Sequence, residues 1–202
     1  IGCAGGAGTT AEFPCPMTAA PEGYFFFRVA VKGLTGGHSG DDINKNRANA
    51  NKLLDRFLVI LMKQYDLRLS HIDGGNLHNA IPREAHAVCA VPMADKENVR
   101  VALNIFLAEV ENEFAVTEPN LTMELESETP CAEVMEKEAM ARFLHSLYAV
   151  HHGVYAMSQD MEGLVETSSN LASVKMRDGK IVVVTSQRSS CLLYTSDAAD
   201  EE

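Results

Sequence analysis

The chain has 202 residues and a mass of 22.0 kDa, room for one generous domain or two small ones. Hydrophobic residues make up 46% and charged residues 22%, a globular composition rather than a disordered or fibrous one. With 17 Lys+Arg against 28 Asp+Glu the formal charge is −11, which argues against nucleic acid or an anionic membrane as partner. The longest run of large apolar residues, 57–62, is far too short to cross a bilayer.

The first residue is Ile1, with no Met and no basic-then-apolar leader, which predicts a processed or cut chain. Cys3, Cys15, Cys89, Cys131 and Cys191 show no CxxC spacing. They are expected as reduced thiols of a cytoplasmic protein. Residues 191–201 (CLLYTSDAADE) match, codon by codon, the translation of a transposase-type sequencing adapter. That tail, 191–202, is therefore expected to be non-native and outside the fold.

Residues 1–23 are rich in Gly, Ala, Thr and Pro and read as a strand end followed by a connection. Residues 24–32 (YFFFRVAVK) form an aromatic, β-branched strand with Arg28 and Lys32 on its alternate face. A Gly-rich turn at 33–40 leads to a helix capped by Asp41 or Asp42, with Ile43, Ala50, Leu54, Phe57, Leu58 and Leu61 near the 3.6 period. A strand at 67–72, a turn at 73–82 and a strand at 84–91 follow. Asp95 caps a second helix whose apolar face runs from Val99 to Phe114. Leu121, Met123 and Leu125 alternate with polar residues as a half-buried strand.

Strand–helix–strand–strand–helix–strand is the split βαβ, ferredoxin-like order of an α+β domain. A third helix at about 133–150 and strands at 165–176 and 180–187 come after it, the strands joined by a type I′ turn at Asp178-Gly179. This set reads as an appended second α+β unit that stops short, with strand edges left open. That predicts marginal stability or self-association.

Three turns carry side chains suited to a ligand. GGHSG at 36–40 lets the backbone approach closely while His38 projects from the turn. In GGNLHNAIP at 74–82, Asn79 precedes an Ile-Pro that keeps the chain extended and its amide directed. SQRSS at 186–190 ends a strand with Arg188, the side chain suited to bidentate carboxylate recognition. Taken singly, each also reads as ordinary turn or surface chemistry. His151-His152 ends a helix, where imidazolium complements the dipole. No HExxH, GxxxxGK[ST] or GxSxG occurs. Residues 166–170 (ETSSN) are polar without pointing to a particular chemistry.

In order and spacing, GLTGGHSGDDI, GGNLHNAIPREA, ETSSNLA and SQRSS together resemble the aminoacyl-histidine (Xaa-His, cytosolic non-specific) dipeptidases. These form part of the di-zinc metallopeptidase family that includes carnosinase. The resemblance covers residues 1–190. It implies that 1–23 is the end of a catalytic domain with its linker, and that 24–190 is a lid used for substrate capture and homodimerisation. It implies that His38 stabilises the oxyanion of the tetrahedral intermediate, that Asn79 hydrogen-bonds the dipeptide substrate, and that Arg188 holds its C-terminal carboxylate. Two zinc ions are implied for the parent enzyme, with ligands outside this stretch, so the chain by itself is expected to hydrolyse nothing. The competing readings are a stand-alone ferredoxin-like binding or oligomerisation module and a Cys-His hydrolase built on Cys89 or Cys131.

Overall fold

The computed structural model describes residues 5–190. Strand β1 (Gly5–Pro14) and the short β2 (Met17–Ala19) precede the aromatic strand β3 (Tyr24–Lys32). The two-residue β4 (Gly37–His38), helix α1 (Ala50–Gln64) and strand β5 (Arg68–Gly74) follow. Then come β6 (Ala80–Ile81), β7 (Ala85–Pro92), helix α2 (Lys96–Glu113) and β8 (Thr122–Ser127). The last part holds β9 (Glu133–Met135), helix α3 (Lys137–Ala149), β10 (Gly153–Met157), β11 (Val165–Arg177) and β12 (Lys180–Ser189).

The spatial order β8-β3-β7-β5 is antiparallel throughout and carries α1 and α2 as its crossovers, the ferredoxin-like arrangement expected from the element order. Period-two alternation sorts β3: Phe25, Phe27, Val29 and Val31 enter the main core with Phe57, Leu58 and Phe106. Phe57 and Phe106 stack at 5.5 Å between α1 and α2. Phe27 and Phe57 are fully buried, and each contributes about 2–3 kcal/mol. On the opposite face Phe26 and Ala90 pack under Val134 of β9, and β9 pairs with β2.

The later strands belong to the same sheet. Strand β11 joins β5 through Val174↔Gly74 and Lys175↔Asp73, and β12 continues outward. The edge of β12 that the sequence left open is filled by β1, paired in register over ten residues from Gly5↔Ser189 to Pro14↔Lys180. The strand signal in 1–23 was hidden because its Gly, Ala and Thr residues show no alternation of hydrophobicity. Asp178 and Gly179 both have positive φ, at 52° and 71°, as a type I′ hairpin requires.

Two helix starts differ from expectation. Helix α1 begins at Ala50, and its cap is Asn49, whose side chain accepts from Asn51 N and Lys52 N. Asp42 is occupied elsewhere, and Asn46 at φ 52° interrupts any helix before residue 49. Helix α3 begins at Lys137 because the backbone of 133–135 is committed to pairing with β2. Asp95 stands at the α2 N-cap position, but its side chain makes no capping bond to the backbone and accepts instead from Asn98 Nδ2 at 3.1 Å. The adapter reading of 191–202 lies outside the described residues.

Candidate functional site

The His38 turn is a built structure rather than a loose Gly-rich loop. Asp42 Oδ2 accepts the His38 N–H at 2.8 Å, while Lys45 Nζ donates to Asp42 Oδ1 at 2.6 Å and Arg47 approaches Oδ2 at 3.3 Å. The Lys45 bond, then the His38 N–H, hold the Asp42 carboxyl down to about 2. A side chain at Gly37, whose φ is 145°, would strike both Arg47 and Asp42, so this turn requires glycine. Buried Glu118 accepts from Thr35 N at 2.6 Å and Ala48 N at 2.8 Å, fastening both ends of the segment.

Within the turn His38 Nδ1 accepts the N–H groups of Gly40 at 3.4 Å and Asp41 at 3.3 Å. Nδ1 is thus engaged within the turn, and Nε2 is the ring nitrogen left to face a ligand. The Asp41 carboxylate, 3.1 Å from Nδ1, becomes an ion-pair partner once the ring is protonated.

The Asn79 turn is attached to this one. Strands β4 and β6 form a small ribbon with Gly37↔Ile81 and His38↔Ala80, and Ser39 N donates to Asn79 O at 2.9 Å. Asn79 itself is exposed. Arg188 arrives from β12: a Cβ built on Gly40 would lie 2.8 Å from Arg188 Nη1 and 3.3 Å from His38 Cε1. The guanidinium and the imidazole thus flank the same glycine. Of the three residues singled out by sequence, the side chains of His38 and Arg188 meet at Gly40, while Asn79 is joined to the His38 turn through its backbone carbonyl. A 220 Å³ hollow beside the Asn79 turn is lined by Asn76, Leu77, Pro82 and Ala172 among others, and none of the three lines it.

An imidazole and a guanidinium side by side are groups that would bind a small ligand with a carbonyl and a carboxylate. Among the described residues no three His, Cys, Asp or Glu side chains converge to hold a metal ion.

Other candidates resolve differently. His152 is not a solvated helix-end imidazolium. Its Nδ1 accepts Leu171 N at 3.3 Å and lies 3.2 Å from Asn49 Nδ2, and loss of solvation, then Lys52 and His151, lower its pKa to about 4. The dipole-complementing cation at the end of α3 is Lys52, whose Nζ donates to the carbonyls of Leu147, Tyr148 and Val150 at 2.7–3.0 Å. Cys89 lies in the core with no exposure, and burial pushes its thiol far up, which removes it as a nucleophile.

Sequence reasoning passed over Asp42, Glu118 and Asn170. The second Asp of HSGDD was legible only as a helix cap. Glu118 carries no local pattern that foretells a partner 83 residues away. Asn170, in the polar stretch without assigned chemistry, is 1% exposed and donates from Nδ2 to Ala80 O at 2.9 Å.

Residues 29–118 match the family described as the peptidase dimerisation domain. Over 184 residues, 91% of the chain, the sequence is 40% identical to the cytosol non-specific dipeptidase of Escherichia coli (strain K12). The crystal structure of aminoacylhistidine dipeptidase from Vibrio alginolyticus superposes with a TM-score of 0.93 over 98% of the chain at 35% identity. The chain carries the peptidase dimerisation domain and is similar, over almost its whole length, to part of an aminoacylhistidine dipeptidase. It spans 38% of the Escherichia coli dipeptidase and 41% of the Vibrio chain, about two fifths of each. The matched dimerisation domain begins within β3 and ends just before β8, so it covers most of the ferredoxin-like unit, while Arg188 lies outside that match.

Proposed function

We propose that this chain is the substrate-capturing and dimerising part of a cytoplasmic, metal-dependent dipeptidase acting on Xaa-His and related dipeptides. The observation that carries the reading is the meeting of His38 and Arg188 across Gly40, with Asn79 held alongside through the β4–β6 ribbon. A dipeptide carries a scissile carbonyl and, one residue on, a free carboxylate. On this reading Arg188 takes the carboxylate in two parallel N–H···O bonds, which fixes the register of the substrate. His38 presents Nε2–H to the carbonyl oxygen, and its bond strengthens as that oxygen gains negative charge in the tetrahedral intermediate. Nδ1 is engaged inside the turn by the Gly40 and Asp41 N–H groups and the Asp41 carboxylate, so Nε2 is the nitrogen this reading assigns to the substrate. Asn79 adds a neutral hydrogen bond that orients the peptide.

On this reading the metal ions are held by the rest of the longer protein, since among the described residues no three His, Cys, Asp or Glu side chains converge to hold one. Residues 1–23 are read as leading from the catalytic domain, 24–190 as the lid, and the homodimer as forming through the lid. Among the described residues no helix is long and apolar enough to cross a membrane.

The test is to express the longer reading frame containing this chain and assay Xaa-His dipeptides with zinc. Hydrolysis that falls at least a hundredfold in His38→Ala supports the reading. Hydrolysis by the 202-residue chain alone, or full activity in His38→Ala, overturns it.

A further inference from the structure

His38, Asn79 and Arg188 come from separate pieces of the fold, and the pieces are not equally anchored. Arg188 stands in β12, flanked by β1 and β11 along its length. His38 lies in β4 and Asn79 directly precedes β6; these two strands have two residues each and pair with one another rather than with the large sheet. Ladder hydrogen bonds therefore do not set the distance from this ribbon to Arg188. The backbone bond from Ala50 N to Pro82 O ties the ribbon's end to α1, not to β12.

One side chain spans the gap. Asn170 lies in β11 directly opposite Ser186 of β12, two residues before Arg188. Its Nδ2 donates to Ala80 O at 2.9 Å, and Ala80 is both the partner of His38 and the neighbour of Asn79. Asn170 is almost wholly buried, and its Oδ1 has no hydrogen-bond partner. A buried amide with its acceptor unused is costly, so what this position gains is the donor.

We propose that Asn170 is a positioning residue whose side-chain N–H holds the His38–Asn79 ribbon at its working distance from Arg188. The inference rests on the reading of these three as one substrate-binding set, but its test is independent of that reading. It uses the 202-residue chain, Asn170→Ala and the isosteric Asn170→Asp, followed by NMR and amide hydrogen exchange. In the wild-type chain the His38 ring and the Arg188 side chain give a through-space contact across Gly40. Asn170→Ala is expected to lose it and to lower the protection factor of the Ser39 amide, which is bonded to Asn79 O, at least tenfold. Amides of the β11–β12 ladder keep their protection. Asn170→Asp behaves like the alanine variant at pH 8, where the carboxylate has no donor. At pH 5 protonation restores an O–H donor, and Ser39 protection returns toward the wild-type value at that pH. Ionisation of a buried carboxylate also weakens its surroundings, so the response that marks the lost donor is the one seen at Ser39 while the amides of the β11–β12 ladder show none.

Unchanged contact and unchanged Ser39 protection in both variants overturn the proposal. If Asn170→Ala instead loses protection throughout β11 and β12, the aspartate variant decides: Ser39 protection that does not differ between pH 5 and pH 8, relative to wild type, overturns it. Failure of the substrate reading would show elsewhere, as an unchanged KM in Arg188→Ala of the intact enzyme.

Discussion

Asp55 sits on α1 with no exposure, and neither of its carboxylate oxygens has a hydrogen-bond partner. Its helix neighbour Lys52 attracts it, but the Lys52 ammonium is committed to three α3 carbonyls. Burial therefore dominates and pushes the Asp55 carboxyl from 3.8 up to about 8. The folded chain keeps this proton across the neutral range, while the unfolded chain gives it up near 3.8. The sign follows from linkage: below the unfolded value both states are protonated and Asp55 has no effect on stability. As pH rises from there towards 8, ionisation increasingly favours the unfolded chain, by about 1.4 kcal/mol per unit. At pH 7 the accumulated cost is about 4 kcal/mol, a large share of the stability of an ordinary domain. The substitution Asp55→Asn fills the same space with a side chain that has no proton to lose. Urea unfolding of both chains at half-unit steps from pH 4 to pH 9 is the assay. The variant should gain on the wild type steadily with pH, reaching about 4 kcal/mol at pH 7, and the two should converge near pH 4. Parallel curves across the range would refute the reasoning.

Four further outcomes follow from the same contacts. His152 is neutral in the fold with its pKa lowered to about 4, so its contribution is complete above 6.5 and is lost as pH falls towards 4. His152→Gln should flatten the acid limb of the same urea series by up to about 3 kcal/mol. Lys52→Met removes the donor to three carbonyls at the end of α3 and should cost about 2 kcal/mol in urea unfolding at pH 7. Gly40→Ala places a methyl group 2.8 Å from Arg188 Nη1, the far end of a flexible side chain. Its melting temperature should stay near wild type while KM of the intact enzyme for dipeptides rises about tenfold, as a displaced guanidinium requires. His38→Ala should lower kcat of the intact enzyme by about a hundredfold or more with little change in KM.

Much of the fold was legible because hydrophobic period and turn chemistry agree in the segments that form it. YFFFRVAVK gives the bounds of β3, and Asp-Gly at 178–179 gives the β11–β12 hairpin, since each pattern admits few backbones. Strand β1 was not legible as a sheet edge, because GGAGTTAEFP has almost no side chains to alternate and owes its place to the whole length of β12. The start of α1 misled for another reason. Asp42 is a good cap by type, but the turn that carries His38 claims its carboxylate first. Of the site, the candidate ligand-facing residues could be named because Gly-His-Ser-Gly, Asn before Ile-Pro and a strand-end Arg are local features. The residues that hold them could not. Glu118 and Asn170 act over 83 and 90 positions of chain, and their worth is a distance that only the folded sheet supplies.

We infer that Arg188 reads the free carboxylate of a dipeptide presented to His38. The measurement that reaches it most directly compares a dipeptide with its C-terminal amide as substrates of the intact enzyme, in the wild type and in Arg188→Ala. The wild type should prefer the free carboxylate by about 10–100-fold in kcat/KM, the worth of a charge-assisted pair, and the variant should handle the two alike. A variant that kept the wild-type preference would show that Arg188 does not bind the carboxylate.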